Sequence, residues 1–76
     1  MKYLNTFELN KTLKKQTKST LVSILSEVFY FEEEELKDSK ANLYTKLLLS
    51  MGDFFDSNNL DDCENLKFKI FSYIKK

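Results

Sequence analysis

An all-α fold, a small four-helix bundle, is what this chain predicts, and three features predict it. The segment Asn42–Phe55, NLYTKLLLSMGDFF, repeats its apolar residues with a helical period. At about 100° per residue, Leu43, Phe54, Leu47, Met51, Tyr44, Phe55 and Leu48 fall on one arc roughly 140° wide, while Leu49 points the other way. The chain contains no proline and one glycine, whereas a β architecture needs turn signals about every ten residues. Polar residues able to cap helices interrupt the remaining apolar-periodic runs. An arc as broad as that of residues 42–55 exceeds a two-helix seam and calls for helices on both flanks. The segment is therefore read as the central helix of a single domain over residues 1–76.

The first element is the weakest. Residues Met1–Leu4 are expected outside it, Asn5 and Thr6 both qualify as N-caps, and Asn5 with Glu8 has capping-box spacing. A helix Thr6–Gln16 follows, with only Leu9 and Leu13 agreeing on a face and Phe7 well away from them. The bundle is thus four helices, or three plus a variable N-terminal one. Thr17-Lys18-Ser19-Thr20 is a run of weak helix formers with capping potential, and a break is placed there. The alternative is a continuous helix, since Leu9 and Leu13 would then lie near Ile24. The next helix, Thr20–Phe31, gathers Ile24, Leu21, Phe31, Leu25, Val28 and Val22 on one face, with Phe29 off it and Glu27 interrupting it.

Four consecutive carboxylates, Glu32–Glu35, come next. At the C-terminus of a helix they would oppose its macrodipole, so they fit better as the first turn of something new. Either a short turn precedes a cap at Asp38 or Ser39, or the central helix begins near Glu33 with Leu36 as its first core contact. That helix reaches about Asp56 and carries Gly52 as a soft spot. Ser57-Asn58-Asn59 is the best turn signal in the chain. Asn59 caps a last helix, Leu60–Lys75, with Asp61 and Asp62 in the favourable first turn. Tyr73, Leu66, Ile70, Cys63, Ile74, Leu60 and Phe71 form its apolar face, Phe68 lies off it, and Lys75 and Lys76 close it with the right sign for the dipole.

At 76 residues the chain buries only about 60–65% of its unfolded surface, so a lone core is marginal. One cysteine permits no internal disulfide, and the absence of histidine removes the commonest zinc ligand. A cytoplasmic protein that forms a homodimer or binds a partner is the resulting expectation, with no cofactor and no metal. No stretch approaches the roughly eighteen apolar residues of a membrane span, and the opening MKYLNTFELNK lacks the apolar core of a signal peptide. All twelve basic residues are lysine. That fits an AT-rich genome, bacterial or phage, and leaves no guanidinium fork for bidentate reading of guanine or phosphate.

Four features of the sequence bear on chemistry. Cys63 has no histidine base and falls on the core face of its helix, where a structural thiol is expected. The many carboxylates lie in solvated runs without a pocket to hold one protonated. No catalytic residue is assigned and an enzyme is not expected. An EF-hand loop begun at Asp56 would put Asp61 where glycine is needed and Lys67 where the bidentate glutamate belongs, so a capped helix with an acidic first turn explains those residues better. Lys11, Lys14, Lys15 and Lys18 give residues 1–20 a local charge of +4 and form a candidate nucleic-acid contact. The zero net charge and the lack of a helix-turn-helix signature favour a solvated basic face instead.

Charge is nonetheless segregated: residues 21–38 and 53–64 each carry −5, and residues 65–76 carry +4. Antiparallel helices placing opposite charges side by side would explain this, as would a protein-docking surface. Leu49, Phe29 and Phe68 leave their helices' core arcs and Tyr30 sits at the edge of its own. Several large apolar residues exposed on so small a chain form a candidate contact patch. With Glu32, Glu33, Glu34 and Glu35 they make up the candidate protein-binding set.

From Leu21 onward, LVSILSEVF, a polar acidic stretch, SKANLYTKLLLSM, a polar turn and ENLKFKIFSYI follow one another in a layout that resembles the YmgB/AriR family of small enterobacterial regulators. About two-thirds of the chain is covered, carried by helix-face apolar residues with Lys40 and Lys46. The resemblance implies a helical, dimer-forming regulator that connects signalling proteins in biofilm and acid-resistance control, and it implies no catalytic residue. The expected function is therefore a non-enzymatic protein-binding regulator or connector. An immunity protein or mobile-element inhibitor, offering Glu32–Glu35 and Asp61–Glu64 to a basic toxin or nuclease, is the alternative. A DNA-binding regulator using the N-terminal lysines is the third reading.

Overall fold

The second, third and fourth helices begin where a short polar side chain satisfies an orphan backbone N–H. The computed structural model describes residues 6–74. They form α1 (Thr6–Lys14), α2 (Lys18–Glu27), a 3-10 turn (Glu33–Leu36), α3 (Lys40–Ser57) and α4 (Leu60–Ile74), with no strand among the described residues. The bundle is all-α, as expected. The expected cap at Asn5, its box with Glu8, the segment Met1–Leu4 and the closing Lys75 and Lys76 lie outside the described residues.

The break between α1 and α2 covers residues 15–17, earlier than expected: of the Thr17–Thr20 run only Thr17 lies outside a helix, and Lys18, Ser19 and Thr20 already form the first turn of α2. Lys15 N–H bonds Thr12 O at 3.2 Å and Gln16 N–H bonds Leu13 O at 3.1 Å, tightening the last turn so that α1 ends two residues before Gln16. Thr17, in extended backbone geometry, then caps α2 by accepting the Thr20 N–H on Oγ1 at 3.3 Å. Ser39 caps α3 in the same way, accepting the Asn42 N–H on Oγ at 3.2 Å. Asn59 Oδ1 accepts the Asp62 N–H at 2.8 Å at the head of α4. Its neighbour Asn58 donates from Nδ2 to Phe54 O at 2.9 Å, satisfying a carbonyl at the tail of α3.

The boundary that differs most from expectation is the end of α2. α2 stops at Glu27 and does not run on to Phe31. Val28 N–H still reaches Ile24 O at 2.9 Å, but Tyr30 adopts φ 60 and turns the chain away, and Phe31 N–H closes back onto Leu25 O at 3.0 Å. Past Glu27 the helical wheel no longer applies, so Phe29, expected off the core face, is half-buried and packs against the core alongside Phe31.

α3 packs against α1, α2 and α4, while α2 also contacts α4 and the 3-10 turn. This is the central position that its broad arc requires. Leu43, Leu47 and Met51 of α3 meet Leu9 and Leu13 of α1, Leu21, Ile24 and Leu25 of α2, and Leu66 and Ile70 of α4 in one core cluster, with Tyr44, Phe54 and Phe55 packed on its margin. Among the described residues no polar or charged residue is buried. Leu60 departs from its expected place on the apolar face of α4 and is 75% exposed. It stands in the first turn, and the helix becomes covered only one turn later, at Cys63.

Candidate functional site

The connection from α2 to α3 is short of regular structure, yet it is fastened throughout. Glu32 N–H donates to the Glu35 carboxylate Oε1 at 3.0 Å, and Glu35 N–H returns to Glu32 O at 3.0 Å. This carboxylate bond at the head of a helical turn explains why four adjacent acids are tolerated: the exposed N–H groups of a helix start attract negative charge. Leu36 then plugs into the core at 8% exposure. From α3, the Lys46 ammonium donates to Glu35 O and lies 3.6 Å from Asp38 Oδ2. Asp38 Oδ1 accepts from Asn42 Nδ2 at 2.7 Å and from Ser39 N–H at 2.8 Å. The Asn42 amide, the Ser39 N–H and, more weakly, Lys46 hold the Asp38 carboxyl below its ordinary value of 3.8 against an opposing effect of burial. Of the two alternatives for this stretch the first holds: a short turn precedes a Ser39 cap, and α3 does not begin near Glu33, although Leu36 does reach the core from the turn.

Tyr30 stands at the head of this connection. It is 79% exposed and its φ of 60 lies in the left-handed region, which costs a side chain bearing a Cβ roughly 1–2 kcal/mol. Phe31, its neighbour in the chain, lines a groove of about 410 Å³ together with Val22, Ser26, Glu33, Leu36 and Lys37. A second, acidic depression of about 520 Å³, lined by Glu32, Glu33, Glu34 and Lys37, shares two of those residues. Glu33 and Glu34 take part in no ion pair among the described residues, whereas Glu35 is engaged in holding the turn. The sequence pointed to Tyr30 and the four glutamates. It did not point to Val22, Ser26, Phe31 and Leu36, whose groove exists only because α2 ends early and lets Phe31 fold beside the turn.

The other candidates lie elsewhere on the bundle. Leu49 on α3 is 64% exposed and Phe68 on α4 is 48% exposed, as their off-face positions require, and Phe7 joins them at 70%. Lys11, Lys14, Lys15 and Lys18 are exposed. Lys11 Nζ rests over the Phe7 ring at 5.2 Å from its centroid, and Glu8 sits with Lys11, Thr12 and Lys15 around one shallow depression. A carboxylate inside the lysine patch weakens it as a phosphate-binding surface.

Cys63 is buried, with its Sγ directed at Phe55 O and Asn58 O at 3.7 Å each. It joins the tail of α3 to the head of α4. The Asp56 calcium loop has no room: α3 ends at Ser57 and α4 starts at Leu60, which leaves two residues where an EF-hand needs about twelve. Among the described residues no group of three or more Cys, Asp or Glu is placed to hold a metal ion, and no helix is long and apolar enough to cross a membrane.

No protein-family model, curated protein or solved structure matches the chain.

Proposed function

We propose that this chain is a small, non-enzymatic protein-binding module, a cytoplasmic regulator or connector that engages its partner through the α2–α3 connection. The observation that carries this reading is the exposed, left-handed Tyr30, whose chain neighbour Phe31 lines the groove. A large aromatic side chain stands 79% exposed at a backbone position with φ 60 that glycine would occupy without penalty. Exposed side chains held at a conformational cost are a signature of functional surfaces, and tyrosine is the kind of anchor around which interfaces are energetically organised. The adjoining groove, with Val22, Phe31 and Leu36 beneath it, supplies apolar surface for a partner to cover, and Glu33 and Glu34 provide the charged rim that fixes orientation.

The test separates binding from folding. Tyr30→Gly removes the side chain and relieves the backbone, so it should fold at least as stably as the parent and still lose partner capture from native lysate. Undiminished capture by this variant would remove Tyr30 and its surroundings from the interface.

A further inference from the structure

We infer that the segment accepted by the α2–α3 groove is cationic and amphipathic, with apolar side chains along one side and lysine or arginine along the other. This rests on the docking reading above and specifies the chemistry of the partner. The floor of the groove is hydrocarbon, from Val22, Phe31 and Leu36, and its open edge is formed by Glu33 and Lys37. Beyond that edge the acidic depression adds Glu32 and Glu34, so the rim offers three carboxylates against one ammonium. Glu33 and Glu34 have no ion-pair partner among the described residues, while the nearby Lys46 is taken up by Glu35 O and Asp38. Glu33 and Glu34 are therefore open carboxylates beside the groove.

An anionic segment seated there would bring like charges together. A purely apolar one would strip water from Glu33 and Glu34 without replacing it. A segment that buries apolar side chains on Phe31 and Leu36 while extending ammonium or guanidinium groups toward Glu33 and Glu34 avoids both costs, and the exposed acidic rim speeds its arrival at low salt.

The test uses the full chain, isotopically labelled for amide NMR and titrated with three synthetic peptides of equal length: an amphipathic Leu/Lys helix, its Leu/Glu counterpart, and a Lys/Ser peptide without apolar residues. The Leu/Lys peptide should shift the amides of Val22, Ser26, Phe31, Glu33 and Lys37. Its affinity should fall about tenfold on combining Glu33→Gln with Glu34→Gln, two exposed changes that leave the core intact, and it should fall again as salt is raised. Equal binding of the Leu/Glu peptide overturns the charge requirement while leaving the groove as a docking site. Equal binding of the Lys/Ser peptide overturns the inference in favour of simple charge attraction. Shifts in these amides on concentrating the protein alone overturn it in favour of a second copy docking through its own lysines. Failure of all three peptides to perturb the groove removes the docking reading as well.

Discussion

Single side chains carry much of the information in this molecule, and Tyr30 and Asp38 carry it in opposite ways. Tyr30 occupies left-handed backbone at φ 60 while its ring contributes little burial, so Tyr30→Gly should raise stability by about 1 kcal/mol in urea unfolding, besides abolishing partner capture. A loss of stability would mean that the ring contributes more to the fold than its exposure indicates. Asp38 is a restraint. Its carboxyl is held below 3.8, chiefly by the Asn42 amide and then by the Ser39 N–H, so the native state binds this proton less readily than the unfolded chain does. The stabilisation is complete above the ordinary carboxylate value and disappears as pH falls through the depressed one. Thermal melts taken from neutral pH down to about pH 3 should therefore fall more steeply for the parent than for Asp38→Asn. Parallel curves would show that the turn does not depend on this charge. Little of this was visible in the sequence: Tyr30 looked like an edge residue of a longer helix, and the left-handed reversal has no glycine or asparagine to announce it.

At the scale of elements, the caps of α3 and α4 lie among the expected residues, α2 starts two residues before the expected Thr20, and α1 and α2 both end short of expectation. Thr17, Ser39 and Asn59 cap as short polar side chains should, because each lies just before an apolar run. The end of α2 was missed because Val28, Phe29 and Phe31 continue an apolar pattern that propensity alone extends, and tertiary packing of Phe29 and Phe31 against the core decides otherwise. α3 tests the energetic side. Gly52 lies inside this helix, and a Cβ built on it meets nothing within 4 Å. Gly52→Ala should stabilise the protein by about 0.5–1 kcal/mol through reduced backbone entropy in the unfolded chain, read as a higher urea midpoint at unchanged m-value. A destabilisation would mean that the glycine gives α3 a bend that the packing of Met51 and Phe54 requires.

For the whole molecule the arithmetic of size dominates. A chain of 76 residues is held by roughly 4–11 kcal/mol, yet Phe7, Tyr30, Leu49, Leu60 and Phe68 all stand exposed. A homodimer that covers part of this surface, through Leu49 and Phe68 on α3 and α4, would raise stability by mass action. In that case light scattering should show mass rising with concentration, the melting temperature should rise with it, and Leu49→Glu combined with Phe68→Glu should stay monomeric. A parent chain that remains monomeric over the same range would discard the dimer. The central place of α3 could be read from its arc, since an apolar face that broad has to be enclosed from more than one side. The groove could not be read, because it is a product of how two elements meet, and periodicity describes each element by itself.

The stretch between α2 and α3 resembles a loop in its composition but behaves as a clasped platform. Leu36 is anchored below, Lys46 grips from α3, and Phe31 reaches back to Leu25. On the docking reading, a partner arriving there would find its contour already set. Little ordering would be left to be done on contact, and the rate of recognition would be governed by how often the two bodies collide in the right orientation.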